Sequence, residues 1–213
     1  MVGMAPQVPV AVSSTADAQT REELESEVDR LRRELEDTRS RLSEVERQAD
    51  EDPMLPVLCR RAFLREMRLA LAVAQRHNHQ SFLLYIDIDG LARINEALGH
   101  SAGDSALGHL ANILLAQVRA TDVVGRLGGD EFGILLAHCD SLDGAQKKAA
   151  EIAMRVNRTP LVWRDAMLAL SISVGVRPID GTQTVDQIME AADIAMYEMR
   201  RDRYSRTSAP VRV

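Results

Sequence analysis

The stretch "RLGGDEFGILL", residues 126–136, places two acidic residues directly after two glycines and directly before an apolar run. The segments "DVVGRL" and "EFGILLA" on either side predict two strands joined by a tight turn at Gly128 and Gly129. A hairpin turn needs glycine, but it seldom needs two carboxylates at its tip. Asp130 and Glu131 therefore indicate that the turn faces something positively charged.

A second pair of acidic residues ends an upstream strand. The segment "SFLLYIDID", residues 81–89, is predicted to be a buried strand that ends in Asp87 and Asp89. If the hairpin pairs beside this strand, the carboxylates converge and raise one another's pKa. Mg²⁺ binds a few carboxylates together with substrate phosphates, and glycines can adopt positive φ and let a phosphate approach the backbone. The pattern favours a metal–triphosphate site, with an ordinary Gly-Gly-Asp turn as the alternative.

Composition limits the classes of function. The chain has 213 residues and a net charge of −6, which disfavours a general nucleic-acid-binding surface. No apolar run approaches the roughly 20 residues of a membrane span, and the first residues lack the pattern of a signal peptide. The two cysteines, Cys59 and Cys139, have neither metal-binding nor redox spacing, which indicates reduced thiols and a bacterial-type cytoplasm.

The globular part alternates helical and strand patterns. After Asp52-Pro53, the order is a helix followed by strand, helix, helix, strand, strand, helix, strand and helix. Helices interleaved with strands, one pair of which forms a hairpin, predict an α/β fold. We expect a central sheet of mixed strand direction with helices packed against it.

The N-terminal region differs from the globular part in composition and periodicity. Residues 1–16 are small, apolar and aperiodic, which predicts disorder. From Thr20 to Ala49, apolar residues recur in steps of four and three, which is the heptad pattern of a coiled coil. The a positions are Val28, Leu35 and Leu42, and the d positions are Leu24, Leu31, Thr38 and Val45.

Charges beside this seam favour a parallel pair of helices. In a parallel dimer, each g residue meets the e residue five places further on in the partner chain. The three pairs within the seam are opposite in sign, namely Glu27 with Arg32, Glu34 with Arg39, and Arg41 with Glu46. We therefore predict a parallel homodimer, with a solvated single helix as the alternative.

Several motifs together resemble the GGDEF domain of diguanylate cyclases. These are "YIDIDGLARINEALGHSAGD", "RLGGDEF", "SISVGV" and "AADIAMYEMR", in this order, and the resemblance runs from about Asp52 to about Arg203. It implies a fold similar to nucleotide cyclases and polymerase palms, and an enzyme that joins two GTP molecules into cyclic di-GMP and releases pyrophosphate. The expected organisation is a disordered segment 1–16, a coiled-coil helix 17–50, the GGDEF domain 51–205 and a tail 206–213.

The same resemblance assigns a metal site. Asp87, the carbonyl of Ile88, Asp130 and Glu131 would hold Mg²⁺, or Mn²⁺, on the triphosphate. Asp130 would also accept the proton of the 3′-hydroxyl. Each domain would bind one GTP, so that a monomer would hold only half of an active site, and the coiled coil would bring the second half close.

Other positions correspond to substrate-binding residues of the family. A carboxylate at the guanine pocket accepts hydrogen bonds from N1 and the exocyclic amine of guanine, and adenine cannot donate there. Taken singly, Asn95 and Asp104 are equally consistent with helix capping, and Asp104 with an N-cap. The residues that the resemblance places against GTP are Asn95, His100, Asp104, Gly128, Gly129 and Arg200.

A product-binding motif precedes the hairpin. The sequence "RATD", Arg119 to Asp122, has the spacing of the inhibitory RxxD site of the family. Arginine can bind O6 and N7 of guanine in a bidentate manner, and aspartate accepts from the opposite edge. A surface ion pair is the alternative. The resemblance implies that cyclic di-GMP at this site locks the domains in unproductive orientations.

The sequence departs from the family pattern in three places. These departures affect the positive charge expected near the phosphates and the turn that opens the domain. Ala92 stands where the family often has lysine, and Arg93 would point about 100° away on a helix. Near the end, Arg200 replaces a lysine and Tyr204 replaces an arginine, for which Arg203 or Arg206 would have to compensate. Pro56 and Cys59 replace the glycine and asparagine of the turn that opens the domain.

These departures leave three hypotheses open. The first is an active diguanylate cyclase inhibited by its product. The second is a weakly active or inactive domain that serves as a receptor for cyclic di-GMP or GTP. The third is a coiled-coil scaffold with an inert globular part. Intact Asp130 and Glu131 favour the first hypothesis, whereas Ala92 and Tyr204 favour the second.

Overall fold

The computed structural model describes residues 24–39, 41, 50–77, 80–139 and 141–207, the last five as backbone only. The chain divides into two units, Met1–Ala49 and Asp50–Val213. The predicted disordered segment, the seam residues Leu42 and Val45, and the Tyr204 side chain lie outside this description. Within the described ranges, no helix combines the length and apolar character that a membrane span needs.

In the first unit, residues 24–39 form helix α1 with its apolar stripe uncovered. Leu24, Val28, Leu31 and Leu35 are 44–61% exposed in the single chain. These are the a and d positions of the predicted seam. The exposed stripe is therefore a surface that a second helix can bury.

The charges of α1 are paired within the helix. Arg30 donates to the carboxylate of Glu27 at 2.8 Å and to that of Glu34 at 2.6 Å. Both glutamates are g residues of the predicted heptads, so a partner helix would have to compete with Arg30 for them. Exposed pairs of this kind contribute little to stability, so the competition has a small effect.

The second unit confirms the α/β fold class and the predicted order of elements. One feature was missed, a short hairpin inserted before the last strand. The elements are α2 (Arg60–His77), β1 (Ser81–Ile88), α3 (Leu91–Leu98), α4 (His100–Gln117), β2 (Val123–Arg126), β3 (Glu131–Leu136), α5 (Leu142–Arg158), β4 (Leu161–Trp163), β5 (Ala166–Leu168), β6 (Ile172–Ile179) and α6 (Val185–Thr207).

Strand direction differs from the expectation. The sheet has the order β2-β3-β1-β6, and all three of its pairings are antiparallel. Strands β1 and β2 run in the same direction, as the helical connection between them requires, but β3 lies between them. The prediction of a mixed sheet was therefore wrong, because the hairpin partner separates the two parallel strands. Within the described part of the chain, an isolated bridge between Leu58 and Gly125 is a parallel contact with this sheet.

Helices cover both faces of the sheet. Alternate residues of β1, such as Phe82 and Leu84, join a core with α4 and α5. The intervening residues, such as Leu83 and Tyr85, join a core with α2 and α6. This alternation has the period of two that a strand buried on both faces requires. It also places Asp87, two residues after Tyr85, on the face covered by α6.

The missed hairpin pairs β4 with β5 through the turn Arg164-Asp165. Arg164 has φ 51°, an unusual conformation for a residue other than glycine, and its guanidinium stacks 5.6 Å from the Trp163 ring. Such turns are normally marked by Asn-Gly or Asp-Gly. The sequence carries no such mark here, so its local pattern predicts no hairpin in this segment.

Candidate active site

The predicted convergence of acidic residues is present at one end of the sheet. Asp87, near the end of β1, lies directly opposite Glu131, the first residue of β3. The backbone N–H of Ile88 donates to the carbonyl of Asp130 at 3.3 Å. Antiparallel pairing thus brings the end of one strand to the beginning of the next, and the three acidic residues meet because of this register.

Crowding of these carboxylates has an electrostatic consequence. Asp87 is 5% exposed. Burial, followed by the nearby charge of Asp130, raises the pKa of Asp87 to about 7, with smaller contributions from Asp89 and Glu131. Arg200 opposes this shift, since a guanidinium nitrogen lies 2.8 Å from Oδ1 of Asp87. Arg200 therefore compensates only part of the negative charge of these carboxylates.

Asp89 has a different environment from Asp87. Its carboxylate accepts hydrogen bonds from the hydroxyls of Ser171 and Ser173, at 2.9 and 2.7 Å. Its backbone N–H donates to the carbonyl of Ser171 at 2.9 Å. Asp89 therefore ties the end of β1 to the beginning of β6, a positioning role that the sequence did not reveal.

The two glycines of the hairpin do not adopt the positive φ that the turn was expected to need. Positive φ is found among the described glycines at Gly90, Gly99 and Gly181, and not at Gly128 or Gly129. A Cβ on Gly128 would instead collide with Oε2 of Glu131, while a Cβ on Gly129 would meet nothing within 4 Å. Gly128 thus makes room for a carboxylate, and Gly129 borders open space.

Two arginines that sequence reasoning missed brace the hairpin tip. Arg126 donates to the carbonyls of Gly128 and Gly129 at 3.1 and 2.8 Å and pairs with Asp52 at 3.4 Å. Arg60 donates to the carbonyl of Leu127 at 2.8 Å. These bonds hold the turn that carries the acidic residues. The contacts of Arg60 with Leu127 and of Arg126 with Asp52 join residues too distant in sequence to be predicted from spacing.

Tyr85 also lies close to the site. Burial, followed by a hydrogen bond to the Glu131 carboxylate, raises the pKa of Tyr85. The hydroxyl therefore remains protonated and donates to the carboxylate. Tyr85 precedes Asp87 by two residues and shares its face of the sheet, which is the one signal by which the sequence could have indicated it.

The predicted guanine-pocket residues lie on α3 and α4. Helix α4 begins at His100 with Gly99 as its N-cap, so Asp104 is exposed in the second turn and is not an N-cap as one alternative had it. Oδ1 of Asn95 is buried without a hydrogen-bond partner and lies where a Cβ on Gly103 would stand. An unpaired buried amide oxygen next to Asp104 is a free acceptor for a ligand.

The Arg93 side chain reaches back toward the end of β1. Its guanidinium folds back against Gly90, the residue that follows Asp89, with Nη2 2.7 Å from the position that a Cβ would take. Gly90 has φ 77°, which lets the chain turn from β1 into α3. Arg93 therefore lies near the end of β1, whereas Ala92 has no polar side chain.

The donor set fits a hard divalent cation, although it does not form a complete cage. Among the described residues, no three His, Cys, Asp or Glu side chains are grouped closely enough to hold a metal ion by themselves. Asp87, Asp130, Glu131 and the Ile88 carbonyl nevertheless supply oxygen ligands at one sheet end. Mg²⁺ commonly takes part of its shell from substrate phosphates and water, so an incomplete protein cage is compatible with it.

The RxxD motif lines a separate cavity of about 440 Å³. Asp122 accepts from the backbone N–H of Arg119 at 2.9 Å and from that of Ala137 at 3.2 Å, so its carboxylate shapes the turn. The cavity is also lined by Lys147 and Lys148 of α5. With Arg119 they give the cavity three basic side chains, against the acidic Asp122 and Glu151, which suits an anionic ligand.

Comparisons with known proteins agree with this geometry. The family model described as "Diguanylate cyclase, GGDEF domain" matches residues 49–206. Among curated relatives, "Probable diguanylate cyclase DgcE" of Escherichia coli K12 is 32% identical over 162 residues, which is 76% of this chain and 15% of that protein. Diguanylate cyclase TpbB of Pseudomonas aeruginosa UCBPP-PA14 is 32% identical over 173 residues, 79% of this chain and 40% of that protein. The chain thus spans well under half the length of these relatives.

Solved structures give the same result. The coiled coil and GGDEF domain of DgcB from Caulobacter crescentus, in complex with c-di-GMP, has a TM-score of 0.74 at 25% identity and covers 84% of this chain and 95% of that chain. The GGDEF domain of PA1120 from Pseudomonas aeruginosa has a TM-score of 0.65 at 34% identity, with coverage of 68% and 91%. With its family model, its relatives and its fold in agreement, the chain belongs to the GGDEF-domain family of diguanylate cyclases.

Proposed function

We propose that this domain condenses two GTP molecules into cyclic di-GMP and releases pyrophosphate. The observation that carries the proposal is the register of Asp87 against Glu131, with the backbone of Asp130 beside it. Carboxylates crowded enough to raise the pKa of Asp87 to about 7 form an arrangement that a divalent cation stabilises. This site is the expected place for the triphosphate.

The residues take distinct roles in this proposal. Asp87, Asp130, Glu131 and the Ile88 carbonyl hold Mg²⁺, or Mn²⁺, which when bound neutralises the charge of the transferring phosphoryl group. Asp130 accepts the proton of the attacking 3′-hydroxyl. Gly129 borders the open space in which a phosphate can approach the backbone.

The guanine base would bind between α3 and α4. The free Oδ1 of Asn95 supplies an acceptor, and the exposed carboxylate of Asp104 supplies another. His100 lies one turn before Asp104 on the same helix face. Acceptors in these positions match the donors of guanine and reject adenine.

The reaction requires two domains, since each holds one GTP. We propose a homodimer through α1, whose apolar stripe is exposed in the single chain. A parallel pair of helices would raise the effective concentration of the second half-site and set its orientation. The enzyme would work in the cytoplasm, where it meets GTP.

The decisive experiment combines purified protein, GTP and Mg²⁺, with cyclic di-GMP and pyrophosphate quantified by chromatography. We expect Glu131→Gln to abolish synthesis, because it removes a metal-binding charge, while the circular dichroism spectrum is unchanged. Glu190→Gln, at an exposed position in the first half of α6, serves as the matched control. Product formation at the wild-type rate by Glu131→Gln would disprove the metal role.

A second function is supported by the cavity around Arg119 and Asp122. We propose that it binds cyclic di-GMP, which inhibits the enzyme. If Ala92 and the change at position 204 leave turnover very low, the same site would make the chain a receptor for the dinucleotide. The three basic side chains of the cavity, Arg119, Lys147 and Lys148, support binding of the dinucleotide phosphates in both cases.

Arg119→Ala tests this site. Loss of the bidentate guanine contact should weaken cyclic di-GMP binding by roughly tenfold or more, measured by calorimetry, while GTP turnover is retained and product inhibition is relieved. Arg68→Ala, at an exposed position on α2, is the matched control. Unchanged product affinity in Arg119→Ala would remove the site from the proposal.

A further inference from the structure

The acidic end of the sheet also carries a basic side chain from a distant part of the sequence. Arg200 of α6 and Asp87 of β1 are 113 residues apart, and a guanidinium nitrogen of Arg200 lies 2.8 Å from Oδ1 of Asp87. The Asp87 side chain is 7% exposed and the Arg200 side chain is 31% exposed. The carboxylate is thus enclosed, while the guanidinium remains accessible to a ligand.

Packing of α6 fixes the place of Arg200. A Cβ on Gly175 would collide with the carbonyl of Ala192, so α6 lies directly against β6 at this glycine. Ala192, Met196 and Arg200 follow at intervals of four and form the helix face directed at the sheet. Ala192 and Met196 are buried, which leaves Arg200 as the next residue of the same face, where the sheet ends.

The strand register leads to the same place. Along β6, Gly175 pairs with Tyr85 and Ser173 pairs with Asp87. Moving from Ala192 to Arg200 on the helix therefore corresponds to moving from Tyr85 toward Asp87 on the strand. The packing of α6 against the sheet therefore positions Arg200 beside Asp87.

The ion pair and a metal ion compete for the same oxygen atoms. Asp87 is surrounded by Asp130, Asp89 and Glu131, so a positive charge beside it is stabilising. Arg200 supplies that charge in the structure. A divalent cation that binds Asp87 would bring further positive charge next to the guanidinium, and like charges at such distances repel.

We propose that Arg200 is the internal counter-ion of Asp87 and that a metal ion replaces it there when metal and nucleotide bind. This inference rests on the proposed function. The metal displaces the guanidinium from Asp87, and the displaced guanidinium binds the triphosphate that arrives with the metal. Metal alone therefore binds weakly, and metal and nucleotide each strengthen the binding of the other. Such reciprocity is required of any two ligands coupled through one element.

Metal binding in the absence of turnover tests the exchange. Mn²⁺ binding to wild type, Arg200→Gln and Arg200→Lys is measured by electron paramagnetic resonance, with and without α,β-methylene GTP, whose bridge cannot be cleaved. Without nucleotide, we expect Arg200→Gln to bind Mn²⁺ about fivefold or more tightly than wild type, because the competing charge is gone. Adding the analogue should raise the Mn²⁺ affinity of Arg200→Gln several-fold less than it raises that of wild type. The increase in Arg200→Lys should lie between these two.

Controls separate this inference from the proposed function. Arg201→Gln removes the same charge from the adjacent, exposed position and should behave like wild type, and circular dichroism verifies folding. Equal or weaker Mn²⁺ binding by nucleotide-free, folded Arg200→Gln would overturn the exchange. Wild-type Mn²⁺ binding by Asp130→Asn and Glu131→Gln would instead overturn the metal site of the proposed function.

Discussion

At the scale of single residues, the raised pKa of Asp87 makes the stability of the fold depend on pH. The pKa of its carboxyl rises from 3.8 to about 7, chiefly through burial and through Asp130. Between these two pH values the folded protein keeps a proton that the unfolded chain has released. Stability therefore falls as the pH rises through this range, and the loss levels off about one pH unit above the folded-state pKa.

Asp87→Asn should remove this loss. We expect the variant to gain stability over wild type from about pH 4 to pH 7, by roughly 1–3 kcal/mol in total, and the difference to level off by about pH 8. Charges that face position 87, such as Asp130, Glu131 and Arg200, are common to both proteins, so the difference reports on Asp87. The measurement is urea unfolding in EDTA at several pH values; a difference independent of pH would contradict the raised pKa.

At the scale of elements, the turn of the β2–β3 hairpin is held by hydrogen bonds from Arg126, and the Glu131 carboxylate lies close against its backbone. Arg126 holds the carbonyls of the turn, while Gly128 leaves room for the Glu131 carboxylate. The obstacle at Gly128 is the end of a flexible side chain. A methyl group there should displace the carboxylate and cost the fold little.

Gly128→Ala and Gly129→Ala form a matched pair for this idea. We expect Gly128→Ala to weaken Mn²⁺ binding by about tenfold, because the displaced Glu131 no longer points correctly. Gly129→Ala should retain Mn²⁺ binding, since its methyl group meets nothing within 4 Å. Both should unfold near the wild-type temperature. Equal Mn²⁺ affinities of the two variants would show that the space at Gly128 is unimportant.

At the scale of the whole molecule, α1 would bring the second half-site close in the proposed dimer. Leu35 is an a residue of the heptad pattern and is 51% exposed in the single chain. A carboxylate at this position in each of two helices would place two like charges within the seam. The helix itself would tolerate the change, because the position is exposed in the single chain.

Leu35→Asp should therefore dissociate the dimer. Analytical ultracentrifugation should show a monomer at concentrations where wild type is dimeric, and synthesis should fall strongly while GTP binding per chain is retained. Arg33→Glu, at the outward f position, should leave the dimer intact. A fully active, concentration-independent monomer would refute the dimer mechanism. A parallel dimeric zipper that replaces α1 in register should restore activity, and one shifted by half a heptad should not.

The sequence by itself determined the periodic and local features of the protein. Alternating patterns and turns gave the order of elements, because strands and helices have different repeat lengths. The pairs of acidic residues at 87 and 130–131 were also visible, since a strand end and a hairpin turn are local signals. The heptads of α1 were readable for the same reason, and the motifs in order indicated the family.

Tertiary structure alone decided which groups meet. Asp52 with Arg126, and Asp87 with Arg200, join residues more than 70 positions apart, and no local pattern encodes such pairs. The insertion of β3 between β1 and β2 made the sheet antiparallel, and the crowding at Gly128 arises from the folded turn. Local propensity acts over a few residues, whereas charge compensation and close packing act through space. The sequence therefore indicated the acidic residues, and the fold supplied their counter-ion.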